Sequence, residues 1–452
     1  MTGVQTCALP ILLEPATPQE AKDFFRLAMS VSRKYGAPVF IRTTTRTCHQ
    51  TGPVTLDAID TTAVTPKWDN ETMQRDGGYI PLPGTFPPLK RKALQNLEKI
   101  RIELDNHIIN KVIRVGDDIP LIRIITYGHT FQSTVSALEF LGVSAEILKL
   151  GMTHPLPREV VSDFIGSSQK VYVFEELDPV IENEVKLLCF NQGINSRVIG
   201  KSGQPDELEL MIGEYDPTRM VRIISSHLGI ESGLDFQEPT LPVPVRSPQL
   251  CPGCGHRTAF FAATKAIGKG KEAFSMADIG CYSLGFLPPY RLGNLLYCMG
   301  SGAPAASAMS KAFPDEPVLS FVGDSTFFHA AMPGIVNAVY NKHRQVIMVM
   351  DNGITAMTGH QPNPNSGYGA TGEAPKIPID DVLRAFGVRF VERAPSYEAS
   401  KVEDALKRAF EFAHSPDGGV AVVIQDEPCA LRRSRIDKRA GRLPNPLMID
   451  HD

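Results

Sequence analysis

Two stretches decide the fold of this chain: Gly323-Asp-Ser-Thr-Phe-Phe-His329 and, further along, Asp351-Asn-Gly353. Each follows an apolar run, residues 318–322 in the first case and residues 346–350 in the second. Residues 335–340, between the two runs, have helical character. Strand, helix and strand in this order predict two parallel neighbouring strands. We therefore expect both polar clusters at the carboxyl edge of one parallel sheet, where open α/β sheets bind ligands.

The oxygen atoms in these clusters suit a magnesium ion that holds a diphosphate. Mg²⁺ prefers hard oxygen ligands and is usually held by one or two protein oxygens together with substrate phosphates. Asp324, Asn352 and the backbone carbonyl of Ile354 can supply such a half-shell. Twenty-seven residues separate Asp324 from Asn352, and this spacing resembles the motif of thiamine diphosphate enzymes, although Ser325 replaces their usual second Gly. The alternative is an ordinary doubly wound sheet whose strand ends happen to be polar.

Composition excludes several classes of protein. The chain has 452 residues, enough for about three domains. A net charge of −4 and 42% hydrophobic residues are typical of a soluble globular protein and argue against nucleic-acid binding or disorder. No apolar run approaches the roughly 20 residues of a membrane span. Eight cysteines, several in one cluster, fit a reducing cytoplasm with a metal site better than a disulfide framework.

The amino-terminal part predicts an incomplete domain. Residues 1–11 read like a translated sequencing-library adapter, so natural sequence is expected from about Leu12. Residues 12–59 contain one periodic helix and one short strand, which we interpret as the end of a larger α/β domain. Residues 60–118 combine Pro-rich loops with a charged helix, residues 89–115, and are interpreted as a connector.

Two further α/β domains are expected. Residues 119–205 alternate strands and helices, and Gly128-His129-Thr130 occupies a strand-to-helix turn that is either structural or a ligand contact. Residues 206–249 are interpreted as a linker. Residues 250–431 contain the magnesium motif, and Gly300 and Ser301 precede a helix whose start could approach a diphosphate. Gly300-x-Gly302-x-x-Ala305 does not follow a clear strand, so a nicotinamide site is rejected.

Four cysteines form the second chemical feature. Cys251 and Cys254 make a C-x-x-C pair, twenty-six residues separate Cys254 from Cys281, and Cys429 follows the domain's last strand. A [4Fe-4S] cluster takes four thiolates and is the favoured interpretation. A zinc site that also uses His256 and a set of unligated buried thiols remain alternatives. Cys48, Cys189 and Cys298 are interpreted as core or near-surface thiols, with Cys298 close to Gly300.

Five motifs together resemble the large subunit of the indolepyruvate ferredoxin oxidoreductase family, within the wider 2-oxo acid ferredoxin oxidoreductases, from Leu12 to Asp452. They are Cys251-Pro-Gly-Cys-Gly-His256, Asp278-Ile-Gly-Cys281, Gly323-Asp-Ser-Thr-Phe-Phe-His329, Asp351-Asn-Gly-Ile-Thr-Ala-Met-Thr-Gly-His-Gln-Pro362 and Glu427-Pro-Cys-Ala-Leu431. The resemblance implies a multidomain α/β protein with doubly wound, mostly parallel sheets of the thiamine diphosphate enzyme type.

The resemblance also implies the residues of each site. Magnesium would be held by Asp324, Asn352 and the carbonyl of Ile354, and the [4Fe-4S] cluster by Cys251, Cys254, Cys281 and Cys429. The loop Thr358-Gly359-His360-Gln361 looks like a lid over the diphosphate. The implied set of cofactor-binding residues is Gly300, Ser301, Gly323, Asp324, Ser325, Thr326, Asn352, Ile354, Thr358 and Gly359.

The resemblance further implies which segments of the family are absent from this chain, which reaction is catalysed and which partners take part. The activating glutamate is expected in an absent amino-terminal portion, and residues 432–452 are expected to link to an absent ferredoxin-like domain. The implied reaction is oxidative decarboxylation of an aryl 2-oxo acid such as indolepyruvate, with coenzyme A and ferredoxin, beside a smaller beta subunit in the cytoplasm. A non-redox thiamine diphosphate decarboxylase and a zinc-stabilised binding module are the rival hypotheses.

Overall fold

The structure is a computed structural model that describes residues 10–58, 71, 82–235, 244, 246–268 and 273–442. The chain divides into two compact units, Met1–Glu238 and Pro239–Asp452. Most of the stretch expected to be adapter-derived, residues 1–9, lies outside the described residues. Ile11, by contrast, is buried and begins the first strand. Among the described residues, no helix has the length and apolarity that a membrane crossing requires.

The first unit is built from strands and helices that alternate along the chain. Its described strands are β1 (Ile11–Leu13), β2 (Val39–Ile41), β3 (Lys111–Val115), β4 (Ile122–Tyr127), β5 (Ala145–Leu150), β6 (Met152–His154), β7 (Lys170–Phe174) and β8 (Arg197–Ile199). Its described helices are α1 (Pro18–Tyr35), α2 (Thr45–His49), α3 (Phe86–Asp105), α4 (Gly128–Leu141), α5 (Arg158–Gly166), α6 (Val180–Gln192), α7 (Glu207–Leu210) and α8 (Pro217–Leu228).

A five-stranded sheet organises this unit, in the order β3-β5-β4-β7-β8. Every neighbouring pair is parallel except β3 with β5, so one antiparallel edge strand closes a parallel sheet. Apolar residues of the strands alternate between two cores, because successive side chains of a strand point to opposite faces. The sheet therefore has helices packed on both faces, as the sequence predicts for a doubly wound domain.

The extent predicted for one helix of the first unit is wrong. Strand β1 pairs with β2 and also with β6, so the strands of residues 12–59 join a strand of the following α/β stretch, and their assignment to the end of a larger domain stays a prediction. The helix expected over residues 89–115 ends at Asp105, because the β-branched residues Val112, Ile113 and Val115 extend as strand β3 along β5. The expected connector, where it is described, is therefore part of the folded unit.

The linker expected over residues 206–249 contains two helices, α7 and α8. Asp216 accepts a hydrogen bond from the amide of Arg219, and Pro217 occupies the first turn of α8. Met220, Val221 and Ile224 of α8 are buried in the same core as Ile124 of β4. The prediction of a linker is therefore wrong for residues 217–228, because their apolar face packs into this core.

The second unit contains the magnesium and cysteine motifs. Its described strands are β9 (Phe274–Met276), β10 (Val318–Gly323), β11 (Gln345–Asp351), β12 (Tyr368–Gly369), β13 (Gly372–Glu373), β14 (Phe390–Pro395) and β15 (Val420–Asp426). Its described helices are α9 (Gly255–Ile267), α10 (Gly302–Ala312), α11 (Asp324–Thr326), α12 (Met332–Tyr340), α13 (Ile379–Ala385), α14 (Ala399–His414) and α15 (Ala430–Arg439). Helix α15 occupies residues that were expected to be linker.

A fully parallel sheet, in the order β14-β15-β11-β10-β9, forms the framework of this unit. Phe321 packs with α9 and α14 on one face, and its neighbour Val322 packs with α12 and α13 on the other. Four of the strand ends lead directly into Asp278, Asp324, Asp351 and Glu427. The α/β, mostly parallel, doubly wound fold predicted from the sequence is confirmed, and the sheet gathers the polar motifs at one edge.

Asp105 provides a stability test of the first unit. Its fully buried carboxylate accepts hydrogen bonds from the backbone amides of Glu159 (3.1 Å) and Val160 (3.0 Å), at the start of α5, and from Arg101 (2.7 Å). Asp105→Ala should destabilise the unit by about 2–4 kcal/mol, because the buried Arg101 and two part-buried amides lose their partner. Hydrogen exchange at Glu159 and Val160 should accelerate. Asp118→Ala, at an exposed position, is the control and should leave that exchange unchanged.

Candidate active site

The two expected magnesium side chains converge on one backbone amide. The N–H of Ile354 donates both to Oδ2 of Asp324 and to Oδ1 of Asn352, each at 3.1 Å. Asp324 follows β10 and Asn352 follows β11, and these strands are neighbours in the sheet. The crossover predicted from the sequence therefore brings a carboxylate oxygen and an amide oxygen to one point.

Burial makes the Asp324 carboxylate electrostatically unbalanced. Its side chain is 2% exposed, and desolvation together with the nearby Asp351 raises the pKa of Asp324 to about 6. Hydrogen bonds from Asn363, Ser325 and Ile354 favour the charged form but do not offset burial. A buried carboxylate without a cationic partner is the arrangement that a bound divalent cation would complete.

Asp351 has partners that Asp324 lacks. Asn365 donates to both carboxylate oxygens of Asp351 at 2.9 Å, and Arg393 lies 3.4 Å from one of them. Burial still raises the pKa of Asp351, with Asp426 adding to the effect. Asp351 is thus held by side chains of the protein, and this leaves Asp324 as the carboxylate available to a metal ion.

A hydroxyl and amide network surrounds the magnesium residues. The hydroxyl of Ser325 lies 2.6 Å from that of Thr355 and accepts from the side chain of Asn363 at 3.2 Å. This contact gives Ser325 a use that a second Gly could not provide. Thr358 and Gly359 lie in an exposed turn, closed by the side chain of Gln361 on the Thr358 carbonyl. No hydrogen bond joins this described turn to Asp324 or Asn352.

Asp278 shapes the turn that contains Gly300 and Ser301. Its fully buried carboxylate accepts from the amides of Gly300 (2.5 Å) and Gly302 (3.0 Å), at the start of α10. Gly300 has φ +98°, and a Cβ there would lie 2.3 Å from the Cβ of Ala330, so only glycine fits. The Ser301 hydroxyl accepts from two amides within its own turn. Asp278 was part of a quoted motif but was not among the predicted site residues.

Tyr282 packs against the start of the magnesium motif at Gly323 and contacts Thr326. Its hydroxyl lies 2.8 Å from that of Thr326 and donates to the carbonyl of Ile279 at 3.0 Å. A Cβ on Gly323 would lie 2.6 Å from the Tyr282 ring, so this position also requires glycine. A π-helical turn, Phe327–Ala331, follows α11 and is a form that is frequent at functional sites.

The four predicted cysteines line one cleft of about 280 Å³. Cys251 and Cys254 form the turn before α9, Cys281 begins a 3₁₀ turn after β9, and Cys429 precedes α15. Asn352 and His256 line the same cleft. The backbone amide of Cys429 donates to the carbonyl of Asn352 at 3.1 Å. The magnesium residues and the cysteine cleft are therefore joined through one residue.

The thiols of the cleft are close enough to interact electrostatically. Burial, together with the charges of Cys281, Cys251 and Cys429, raises the pKa of Cys254 to about 11. The Cys254 thiol would therefore release its proton on binding a metal. Among the described residues, no group of three His, Cys, Asp or Glu side chains is spaced to hold a single metal ion.

His256, at the start of α9, contacts Asn352 with a buried side chain. It is buried, and desolvation lowers its pKa to about 4. Its Nε2 lies 3.5 Å from the side-chain nitrogen of Asn352, a geometry in which the amide donates to the ring. This contact was not foreseen, because the sequence suggested His256 only as a zinc ligand.

The remaining candidates lie elsewhere. Cys48 and Cys298 are exposed, and Cys189 is buried in the first unit. Gly128 begins α4 with φ +53°, and a carboxylate oxygen of Glu14 lies 3.8 Å from the position of its Cβ. The start of α4 thus already faces a carboxylate of the chain itself, which favours the structural interpretation of Gly128-His129-Thr130.

Known proteins share these features. Residues 278–424 match the family described as "Thiamine pyrophosphate enzyme, C-terminal TPP binding domain". The match spans the sheet edge from Asp278 through Asp324 and Asn352. The second unit is therefore a thiamine diphosphate-binding domain.

Curated relatives match nearly the whole chain. "Indolepyruvate oxidoreductase subunit IorA" of Methanothermobacter thermautotrophicus is 36% identical over 97% of this chain and 68% of its own length. The same subunit of Pyrococcus abyssi is 34% identical over 95% of this chain and 68% of its own length.

A solved 2-oxoglutarate:ferredoxin oxidoreductase from Magnetococcus marinus is 22% identical, with a TM-score of 0.35. The likeness covers 42% of this chain and 66% of that one. At that score it bears on neither fold nor function. The relatives above suffice: this chain belongs to the family of IorA subunits of indolepyruvate oxidoreductase.

Proposed function

We propose that this chain is the thiamine diphosphate-binding subunit of an enzyme that oxidatively decarboxylates aryl 2-oxo acids such as indolepyruvate. Coenzyme A would accept the acyl group and ferredoxin the electrons, with a smaller beta subunit completing the enzyme. The observation that carries the proposal is the contact between Asn352 and Cys429. The proposal is also supported by the cleft that Asn352 lines together with Cys251, Cys254, Cys281 and Cys429.

Thiamine diphosphate and the iron–sulfur cluster would have separate chemical roles. Thiamine diphosphate, when bound, stabilises the negative charge left by decarboxylation, and an iron–sulfur cluster accepts electrons one at a time. Within the chain, Asp324, Asn352 and the carbonyl of Ile354 would hold Mg²⁺. Asp278 accepts the amides of Gly300 and Gly302 at the start of α10, so a carboxylate of the chain itself is the anion at this helix start and holds the turn in place.

The number and arrangement of the cysteines support a cluster. A [4Fe-4S] cluster takes four thiolates. The four thiols come from three separate segments of the chain and line one cleft.

The rival hypotheses explain fewer of these contacts. A non-redox decarboxylase needs the magnesium residues but gives no reason for four thiols to line the same cleft as Asn352. A zinc-stabilised binding module gives no reason for a buried carboxylate with a raised pKa at the Ile354 amide. Of the three hypotheses, the oxidoreductase is the one that requires both the magnesium residues and the four cysteines.

Asp324→Asn separates cofactor binding from folding. The substitution removes the charge that Mg²⁺ requires, so magnesium-dependent binding of thiamine diphosphate should weaken at least 100-fold, measured by calorimetry. The free energy of unfolding should fall by no more than about 1 kcal/mol, because relief of a buried charge offsets one imperfect hydrogen bond. Asp404→Asn, at an exposed position of α14, is the matched control. Unchanged affinity in Asp324→Asn would remove Asp324 from the site.

Cys281→Ala distinguishes the redox enzyme from a simple decarboxylase. In the complete enzyme, with the activating glutamate and the partner subunit present, indolepyruvate-dependent reduction of a viologen dye should fall more than 100-fold, because the electron acceptor is lost. Affinity for thiamine diphosphate should stay within about threefold, since Cys281 has no contact with Asp324 or Asn352 among the described hydrogen bonds. The exposed Cys298 provides the control, Cys298→Ala, which should keep full activity. Dye reduction that survives in Cys281→Ala would favour the non-redox hypothesis.

A further inference from the structure

His360 lies at the wall of the cysteine cleft, between a thiol and a guanidinium group. Its Nε2 is 3.8 Å from Sγ of Cys429, within hydrogen-bonding range of sulfur, and its Nδ1 is 3.5 Å from Nη1 of Arg435. The side chain is half-buried and lines the cleft together with all four cysteines. The sequence placed His360 in the loop over the diphosphate and gave it no role toward the cysteines.

Arg435 determines which ring nitrogen of His360 donates. A guanidinium group has only donors, so the contact at Nδ1 requires a lone pair on that nitrogen. A neutral imidazole with a lone pair on Nδ1 carries its proton on Nε2. The Nε2–H group of His360 therefore points at Cys429.

The backbone at His360 is held in an unfavourable conformation. Its φ is +65°, in the left-handed region, and the preceding Gly359 has φ +123°. A residue other than glycine costs of order 1 kcal/mol there, and such strain concentrates at functional sites. The same conformation turns the ring toward Cys429, so the strain accompanies a specific contact.

The loop that carries His360 is anchored beside the magnesium residues. Thr355 and Gln361 exchange backbone hydrogen bonds across the base of the loop, at 2.9 Å and 3.2 Å. The hydroxyl of Thr355 contacts Ser325, the neighbour of Asp324, at 2.6 Å. A single short loop thus reaches from the diphosphate side of the site to the last cysteine.

We propose that His360 is a positioning residue that donates its Nε2–H to the sulfur of Cys429 and raises the reduction potential of the cluster held there. The inference rests on the proposed function, because it requires a cluster on these cysteines. A hydrogen bond to a ligating sulfur stabilises the more negative, reduced form, and such bonds are among the factors that set cluster potentials.

His360→Gly tests this role without adding backbone strain. Glycine removes the donor and adopts φ +65° freely, so the fold should be retained or stabilised. The reduction potential is measured on the anaerobically purified 452-residue chain, by a redox titration of the paramagnetic signal of the reduced cluster. At the wild-type midpoint, the ratio of reduced to oxidised cluster should fall about tenfold, which is about 59 mV for one electron. His360→Asn, which tolerates the same backbone but is too short to reach Cys429, should give the same shift.

Lys342→Gly is the matched control. Lys342 is another residue of the second unit with positive φ (+54°), and it lies outside the cysteine cleft. This variant should keep the wild-type potential. Iron content should equal that of wild type in all three variants. Equal potentials in wild type, His360→Gly and His360→Asn would overturn the inference while leaving the proposed function intact. Loss of iron from both His360 variants would make the residue a structural support and would also overturn it. A wild-type chain with no cluster would refute the proposed function and the inference together.

Discussion

The contact on which the functional part of this molecule depends is the one between Asn352 and Cys429. The backbone carbonyl of Asn352 accepts the amide of Cys429, while its side chain accepts from Ile354 and contacts His256. Asn352 directly follows the central strand β11. It thus contacts Ile354 beside Asp324, His256 in the helix after the C-x-x-C turn, and the last cysteine, Cys429. The parallel pairing of β11 with β15 makes this possible, because it brings Asp351 opposite Asp426 in register.

Burial of carboxylates at the edge of the parallel sheet is the second consequence of this arrangement. Asp278 accepts backbone amides, and Asp351 is held by Asn365 and Arg393. Burial raises the pKa of both groups, and it raises the pKa of Asp324 to about 6. Among the described contacts, Asp324 receives hydrogen bonds from backbone amides and has no cationic side chain as a partner. A bound divalent cation would stabilise the charged form of this carboxylate.

Much of the second unit could be predicted from local sequence. Apolar runs that end in Gly323-Asp324 and Asp351-Asn352 fix the crossover, because strand ends of a parallel sheet meet at one edge. The four cysteines were recognisable from their spacing and from the resemblance. The role of Asp278 could not be predicted, because an acidic residue before Ile279-Gly280 gives no sign of which distant amides it will bind.

The errors concentrate where tertiary packing overrides local pattern. Residues 111–115 extend a charged, helix-like stretch in sequence but pair with β5, because an edge strand gains hydrogen bonds that isolated helical periodicity does not reveal. Helix α8 lies beside a Pro-rich stretch that predicts a linker, but its Asp216-Pro217 start is a helix signal and its apolar face is buried. Contacts such as His360 with Cys429 depend on a backbone conformation that composition does not encode.

The proposal that the four cysteines hold an iron–sulfur cluster is tested most directly by the iron, acid-labile sulfide and zinc content of the chain purified without oxygen. About four irons and four sulfides per chain are expected for one [4Fe-4S] cluster. About one zinc with no sulfide would contradict the account and leave a non-redox thiamine diphosphate protein with a zinc knuckle.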